Sequence, residues 1–263
     1  VSVKKYDELS QRMKSYEFAS KQQLTPRMPV IIRIDGCHFH TYTKGFDKPF
    51  DETLIRVFWE TCKYLAANVM GCKLVYHQSD EISLLLTNYD KLTTQSWFDN
   101  GLQKMASVSA SLATAKFNDE MKKIYPDMTK LATFDSRVFL LPHNEVANYF
   151  IWRQQDASKN SVSMLAQSLF PHKELQGVNT KQMQDKMFTE KEVNWNDLPT
   201  WQKRGACIVK EQFDLNGAQR NRWVVDEETP IFTQDRSYIE QFVYQQKEEE
   251  KQGVNLASTL GGI

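Results

Sequence analysis

The residue types most suited to chemistry lie in two segments of this chain. Pro29-Val-Ile-Ile-Arg-Ile-Asp35-Gly36 is an apolar run that ends in an acid, and Tyr76-His-Gln-Ser79-Asp80-Glu81-Ile-Ser-Leu carries two adjacent acids. The first reads as a buried strand with a carboxylate at its end, the second as a hairpin with two more at its tip. Neighbouring strands sit about 4.8 Å apart. Acids at adjacent strand ends can therefore share a pair of divalent ions about 3.5–4 Å apart, the spacing used for phosphoryl and nucleotidyl transfer. Two acids side by side at a hairpin tip repel unless a cation offsets them. Hard oxygen donors select Mg²⁺, which keeps part of its water and binds substrate phosphates. Gly36 leaves its carbonyl open as a further ligand, because no side chain blocks approach. A lone Asp at a strand end is an ordinary turn former. It is the set Asp35, Asp80 and Glu81 that points to nucleotide chemistry.

Groups for phosphate lie close by. Lys44 and Lys48 follow Gly36 in a polar, aromatic loop and can neutralise a metal-held triphosphate. Cys37, His38, Phe39 and His40 offer consecutive main-chain N–H groups, an anion nest in outline. The G-x-x-x-x-G-K-[ST] pattern of a P-loop is missing. In the second half, Arg137, Arg153, Lys159, Lys186 and Lys203 are interleaved with Trp152, Trp195 and Trp201. Basic groups bind phosphates, and aromatic rings stack on unpaired bases. No local signature of a Ser-His-Asp or Cys-His nucleophile is present.

These residues need elements to hold them. An amphipathic helix is expected over 6–20, with Leu9, Met13, Tyr16 and Phe18 at partial helical spacing. The β-branched run 30–34 is a central strand. Asp51 caps a helix whose apolar positions recur from Leu54 to Val69 and which Gly71 ends. Residues 73–77 and 81–87 form a hairpin across Gln78–Asp80. Strand, helix and hairpin in that order are the front half of a ferredoxin-like split unit. Ser96 is expected to cap a helix over 97–118, whose small residues around Ser109 and Ala113 let it lie close on a sheet. A strand follows over 134–141. Next comes a helix capped by Asn144, a polar interval at 154–163 and further helical pattern to Leu169. A helix is expected over 180–191, then a two-stranded ribbon, 206–213 and 222–226, around Asn216-Gly217.

The chain has 263 residues, 41% hydrophobic and 25% charged, enough for a sizeable core. Formal net charge is zero, so any polyanion contact must come from a local patch. The four cysteines form no C-x-x-C pair and match no common zinc spacing, which fits a reducing compartment. No apolar run approaches membrane-span length and the first residues show no signal-peptide core, so a cytoplasmic setting is expected.

Five ordered blocks resemble one known family. They are Arg33-Ile-Asp35-Gly36-Cys-His-Phe39-His40, Lys48-Pro49-Phe-Asp51, Gln78-Ser79-Asp80-Glu81, Phe134-Asp135-Ser-Arg137-Val, and Tyr149-Phe-Ile-Trp152-Arg153-Gln154-Gln-Asp156. Together, over residues 5–215, they look like the tRNA-histidine guanylyltransferases and their guanylyltransferase-like relatives. The resemblance implies an α/β (α+β) fold with a polymerase-type palm on a ferredoxin-like split β-α-β core, flanking helices and a C-terminal β-ribbon and helical extension. It implies a catalytic core over 1–145 and an integrated, tRNA-facing elaboration over 146–263, with a mobile tail from about 254. The activity implied is 3′-to-5′ addition. ATP adenylylates a tRNA 5′-monophosphate and releases pyrophosphate; the 3′-hydroxyl of a nucleoside triphosphate then attacks that phosphate and expels AMP. By the same resemblance Asp35, the Gly36 carbonyl and Asp80 hold two Mg²⁺ ions, with Glu81 as companion acid. Residues 35–40, Ser79 and Asp80 bind the nucleotide, ATP, GTP or another triphosphate. Lys48 meets the triphosphate, Lys44 lies beside it, and Arg137, Arg153, Asn160 and Lys186 face tRNA. The assembly implied is a homotetramer.

One departure narrows the activity. Enzymes that add the extra guanosine to histidine tRNA carry His-Ile-Asn-Asn after the Trp-Arg-Gln-x-Asp block; here the positions read Ser158-Lys159-Asn160-Ser161. This is similar to the guanylyltransferase-like branch, associated with templated repair of 5′-truncated tRNA. The acids by themselves also fit addition of one guanosine to histidine tRNA, a palm-fold nucleotide cyclase or a forward polymerase. A non-catalytic tRNA-binding protein is the remaining alternative.

Overall fold

A computed structural model of the chain describes residues 8–244. In chain order the elements are α1 (Glu8–Ala19), β1 (Val30–Gly36), α2 (Phe39–Tyr42), α3 (Glu52–Asn68), β2 (Cys72–Gln78), β3 (Glu81–Leu86), α4 (Leu102–Ile124), β4 (Phe134–Leu140), α5 (Val146–Leu169), α6 (His172–Leu175), α7 (Thr180–Lys191), α8 (Thr200–Arg204), β5 (Ala206–Leu215), β6 (Ala218–Asp226) and α9 (Ser237–Glu240). Short 3₁₀ turns stand at Trp97–Asn100, His143–Glu145 and Trp195–Asp197.

One antiparallel sheet runs in the order β4-β1-β3-β2-β5-β6. Its first four strands, with α3 between β1 and β2 and α4 between β3 and β4, complete the β-α-β-β-α-β arrangement of which the sequence showed the front half. The second half of the chain continues the sheet, because β5 pairs with β2 through Val75↔Ile208 and Tyr76↔Cys207. The fold is thus α+β, as the sequence implied.

Alternation along the strands sends side chains to two covers. Val30, Ile32, Ile34, Ile82 and Leu84 pack against Phe58 and Leu65 of α3 and Ala113 and Phe117 of α4. Ile31, Leu74, Tyr76 and Leu85 pack against Tyr149 and Phe150 of α5. Helix α4 lies close on the sheet because Ser109 and Ala113 are small and buried, and the Ser109 hydroxyl is 2.7 Å from that of Ser136 in β4. Beyond the sheet, α5 packs its far end on α6 and α7 through Leu165, Phe170 and Met187.

Several local expectations hold in detail. Asp51 caps α3, its Oδ1 accepting from the Leu54 N–H at 2.8 Å. Helix α7 has the predicted bounds and a capping box between Asn179 and Gln182. The ribbon turns at Asn216 and Gly217, both with positive φ, and its strands are longer than predicted.

Others are corrected. The helix expected over 97–118 begins only at Leu102, because Phe98, Asp99 and Asn100 take left-handed backbone values and Gly101 restarts the chain. Ser96 does not cap it; its hydroxyl accepts from Asn88 Nδ2. Helix α5 starts at Val146 with no side-chain cap, so Asn144 is not its cap, and the polar interval 154–163 is helix throughout. Two of those polar residues, Gln154 and Ser161, are buried: Gln154 donates to the Pro230 carbonyl and accepts from the Phe232 N–H, and the Ser161 hydroxyl accepts from Trp195 Nε1. Helix α1 forms, but Leu9, Met13, Tyr16 and Phe18 stay exposed, so its apolar residues join no core. The charged run from Gln245 and the tail from residue 254 lie outside the described residues.

Candidate active site

Asp35, the last residue but one of β1, lies directly opposite Glu81, the first residue of β3. Ser79, with φ of 52°, and Asp80 make the turn between β2 and β3. The Gly36 N–H donates to the Asp80 carbonyl at 3.1 Å, which ties the two acid-bearing segments together. A side chain at Gly36 has no room: a Cβ there would stand 2.2 Å from the Phe39 ring.

Asp35, Gly36, Ser79 and Asp80 line a cavity of about 820 Å³, within the range of ligand sites. His38, His40 and Lys48 line it too, as does Asn160 of α5. Burial pushes the Asp80 carboxyl up, and the Asp35 charge pushes it further; the hydrogen bonds of its own main chain and of Ser79 pull the other way. A hard cation relieves both burdens at once. The donors here are two carboxylates and the Gly36 carbonyl, which leaves other positions for water and phosphate oxygen, as Mg²⁺ requires.

The third acid has a different partner. Glu81 Oε1 accepts from Arg153 Nε at 2.7 Å, and both side chains are under a tenth exposed. Among the described residues no group of three or more His, Cys, Asp or Glu is arranged to hold a metal. Glu81 is thus turned to α5, while Asp35 and Asp80 stay at the cavity. Arg153, expected to face tRNA, is buried, and it also pairs with Asp156 at 2.9 Å.

The predicted nucleotide segment divides. The Cys37 N–H donates to the Thr133 carbonyl at 2.8 Å, so it is no part of an anion nest. Those of His38, Phe39 and His40 open α2, where intrahelical acceptors are missing. The Phe39 ring packs among Tyr42, Phe58, Phe117 and Phe134 and serves as core as well as cavity wall. Lys48 lines the cavity and Lys44 does not. Arg137 sits half-exposed on β4, 3.6 Å from Asp135. Lys186 stands apart on α7, held by Glu174 and Glu190 and lying 4.5 Å over the Phe170 ring.

The sequence reading assigned His77 no role and grouped Trp201 with the rings that stack on bases. His77 is buried in β2, stacks on Phe58 at 4.7 Å and has Nε2 2.9 Å from the Ser79 carbonyl. Burial pushes its pKa down to about 4 against that hydrogen bond. It is a neutral strut for the turn that carries Asp80. A histidine inside an apolar strand was the available signal. Trp201 of α8 lines the cavity beside Phe50, at 6.0 Å, rather than a separate basic surface.

Comparison with known proteins gives a consistent result. The family described as tRNAHis guanylyltransferase matches residues 10–142. The tRNA(His) guanylyltransferase of Eremothecium gossypii is 28% identical over 213 residues, 74% of this chain and 88% of that protein. A bacterial tRNA(His) guanylyltransferase (Thg1)-like protein solved in complex with ATP is 66% identical, with a TM-score of 0.85, over 91% of this chain and 100% of its own. Another, in complex with GTP, is 63% identical with a TM-score of 0.82 and the same coverage.

Proposed function

This chain belongs to the tRNAHis guanylyltransferase family of nucleotidyltransferases, and from that premise we propose that it is a template-directed 3′-to-5′ nucleotidyltransferase that repairs 5′-truncated tRNA. The observation that carries the site assignment is the meeting of Asp35 and Asp80 in the wall of one nucleotide-sized cavity. Asp35, Asp80 and the Gly36 carbonyl would hold Mg²⁺. When bound, the metal supplies activation of the attacking hydroxyl and neutralisation of charge on the phosphoryl oxygens. Lys48, on the same cavity wall, is suited to a triphosphate. The N–H groups of His38 to His40 are suited to its oxygens.

ATP and GTP bound to the bacterial relatives support triphosphates as substrates of this chain. Templated repair, rather than addition of one guanosine to histidine tRNA, is supported by Ser158-Lys159-Asn160-Ser161 in place of the His-Ile-Asn-Asn block. A Watson–Crick template chooses the nucleotide, so no pocket specific for guanine is needed. Self-association into a tetramer is supported by the exposed Leu9, Met13, Tyr16 and Phe18 on α1.

The test supplies 5′-monophosphorylated tRNAs that lack one terminal nucleotide, together with ATP, Mg²⁺ and all four labelled triphosphates. Sequenced products whose new 5′ base pairs with the opposing base support the proposal. Guanosine added regardless of the opposing base overturns templating, and cyclic product from ATP alone marks a cyclase. Asp35→Ala and Asp80→Ala each reduce adenylylation and addition to background in a folded protein; wild-type activity in either removes the metal assignment.

A further inference from the structure

We infer that the open sheet face between α5 and the edge strand β4 is the path of a single RNA strand, with Trp152 as its base-stacking platform. This rests on the reading of the substrate as RNA and names the surface that receives it.

Four observations meet there. First, β4 is an edge strand, and α5 leaves it. Near its start α5 places Tyr149 on Phe139 of β4, at 5.7 Å, whereas one turn later Gln154 is bonded to Pro230 and Phe232 on the β5 side. The helix therefore crosses the sheet diagonally and leaves the site-proximal end of β4 uncovered. Second, this sheet face carries positive charge. Arg33 and Arg137 are register partners on β1 and β4. Arg33 alternates with the apolar residues that face α3 and α4, so both arginines lie on the α5 face.

Third, these cations are weakly engaged. Among the described residues the buried Arg33 Nε has no hydrogen-bond partner. Arg137 has a long, half-exposed ion pair to Asp135, and such pairs hold little energy. Fourth, Trp152 follows Tyr149 on the same helix and has 52% of its surface exposed. The Arg153 guanidinium covers one side of it at 4.3 Å, and Tyr149 braces its edge at 6.0 Å. Arg153 in turn grips Glu81, the register partner of Asp35. The platform is thus linked through two contacts to the strand end that carries the acid.

An exposed tryptophan braced by a buried arginine, on a helix that packs on the sheet face carrying two weakly engaged arginines, matches an unpaired base with its phosphates. The face ends at Asp35, so a strand lying along it delivers its terminus to the cavity. Neither the acids nor Lys48 is involved, and nucleotide binding is therefore independent of Trp152.

The experiment measures binding of a fluorescently labelled, 5′-monophosphorylated tRNA lacking its first nucleotide to the full chain, by anisotropy over a salt series. Trp152→Ala is expected to weaken RNA binding about 5- to 150-fold, the range for loss of one base stack. Trp152→Phe is expected to keep most of the affinity. Arg33→Gln and Arg137→Gln should each reduce the slope of log affinity on log salt by about one phosphate contact. ATP affinity should match wild type in the Trp152 variants, and circular dichroism confirms their fold.

Wild-type RNA affinity in Trp152→Ala overturns the inference. So does an equal loss of ATP affinity, which makes Trp152 a support of the cavity. A changed mass in sedimentation also overturns it, since a second copy of the chain then covers the face. If the wild type binds RNA through Trp152 but transfers no nucleotide, the proposed activity fails and this surface stands.

Discussion

Replacing Arg153 with methionine tests whether the buried ion pair beneath the site is what holds Glu81 away from Asp35. The substitution keeps an apolar stem of similar reach and removes the guanidinium. Arg153 and Glu81 side chains are 7% and 8% exposed and their N···O distance is 2.7 Å. The burial decides the magnitude. Removing one partner of a buried pair costs about 3–5 kcal/mol, whereas an exposed pair contributes about 0–1 kcal/mol. The bond to Asp156 belongs to the second class, because that carboxylate is 43% exposed. For a chain of this size each kcal/mol moves the melting temperature about 2–4 °C, so Arg153→Met is expected to melt about 6–20 °C lower.

The same structure gives a control. Burial pushes the Glu81 carboxyl up against the pull of Arg153, so the cost arises from a carboxylate left without its partner. Adding Glu81→Gln removes that charge, and the double variant is expected to regain a large part of the loss. Thermal and urea unfolding of both single variants and the double variant, read as a double-mutant cycle, supply the coupling energy. A loss below about 1 kcal/mol in Arg153→Met, or strict additivity in the cycle, would refute the reasoning. Glu81 would then be free to join Asp35 and Asp80 at a metal.

Two further outcomes follow from the same geometry. His77 is held neutral, with its pKa depressed to about 4; the stability tied to this is whole above the unfolded value near 6.5 and is lost as pH falls towards 4, about 3 kcal/mol in all. Urea midpoints at pH 7.5 and 4.5 should differ less in His77→Gln than in wild type, and an unchanged difference would sink the assignment. Gly36→Ala forces a Cβ to within 2.2 Å of the Phe39 ring, which costs about 1–3 kcal/mol as overpacking and shifts the carbonyl beside Asp35. Calorimetry should show the lower melting point, and nucleotide addition should fall further than stability alone accounts for; a wild-type rate contradicts a role for this backbone position.

The sequence alone determined what depends on neighbours along the chain. The β-branched run ending in Asp35, the Asp51 cap, the bounds of α7 and the Asn216-Gly217 turn are local choices of torsion and hydrogen bond, and each is visible in a few residues. The order of strand, helix and hairpin was enough for the ferredoxin-like core, because short connections leave few ways to pair those strands. Tertiary structure decided the rest. Glu81 looked like a third metal acid until α5, more than a sequence-local distance away, brought Arg153 to it. Arg153 and Gln154 read as surface polar residues because burial of charge is tolerated only where a partner is supplied, and those partners come from β3 and from the segment after β6. The three left-handed residues before Gly101, the neutral strut at His77 and Trp201 in the cavity wall share that origin. Side-chain type fixes what a residue can do, but only packing between distant segments fixes what it faces, and in this protein the charge around Asp35 is set by what it faces.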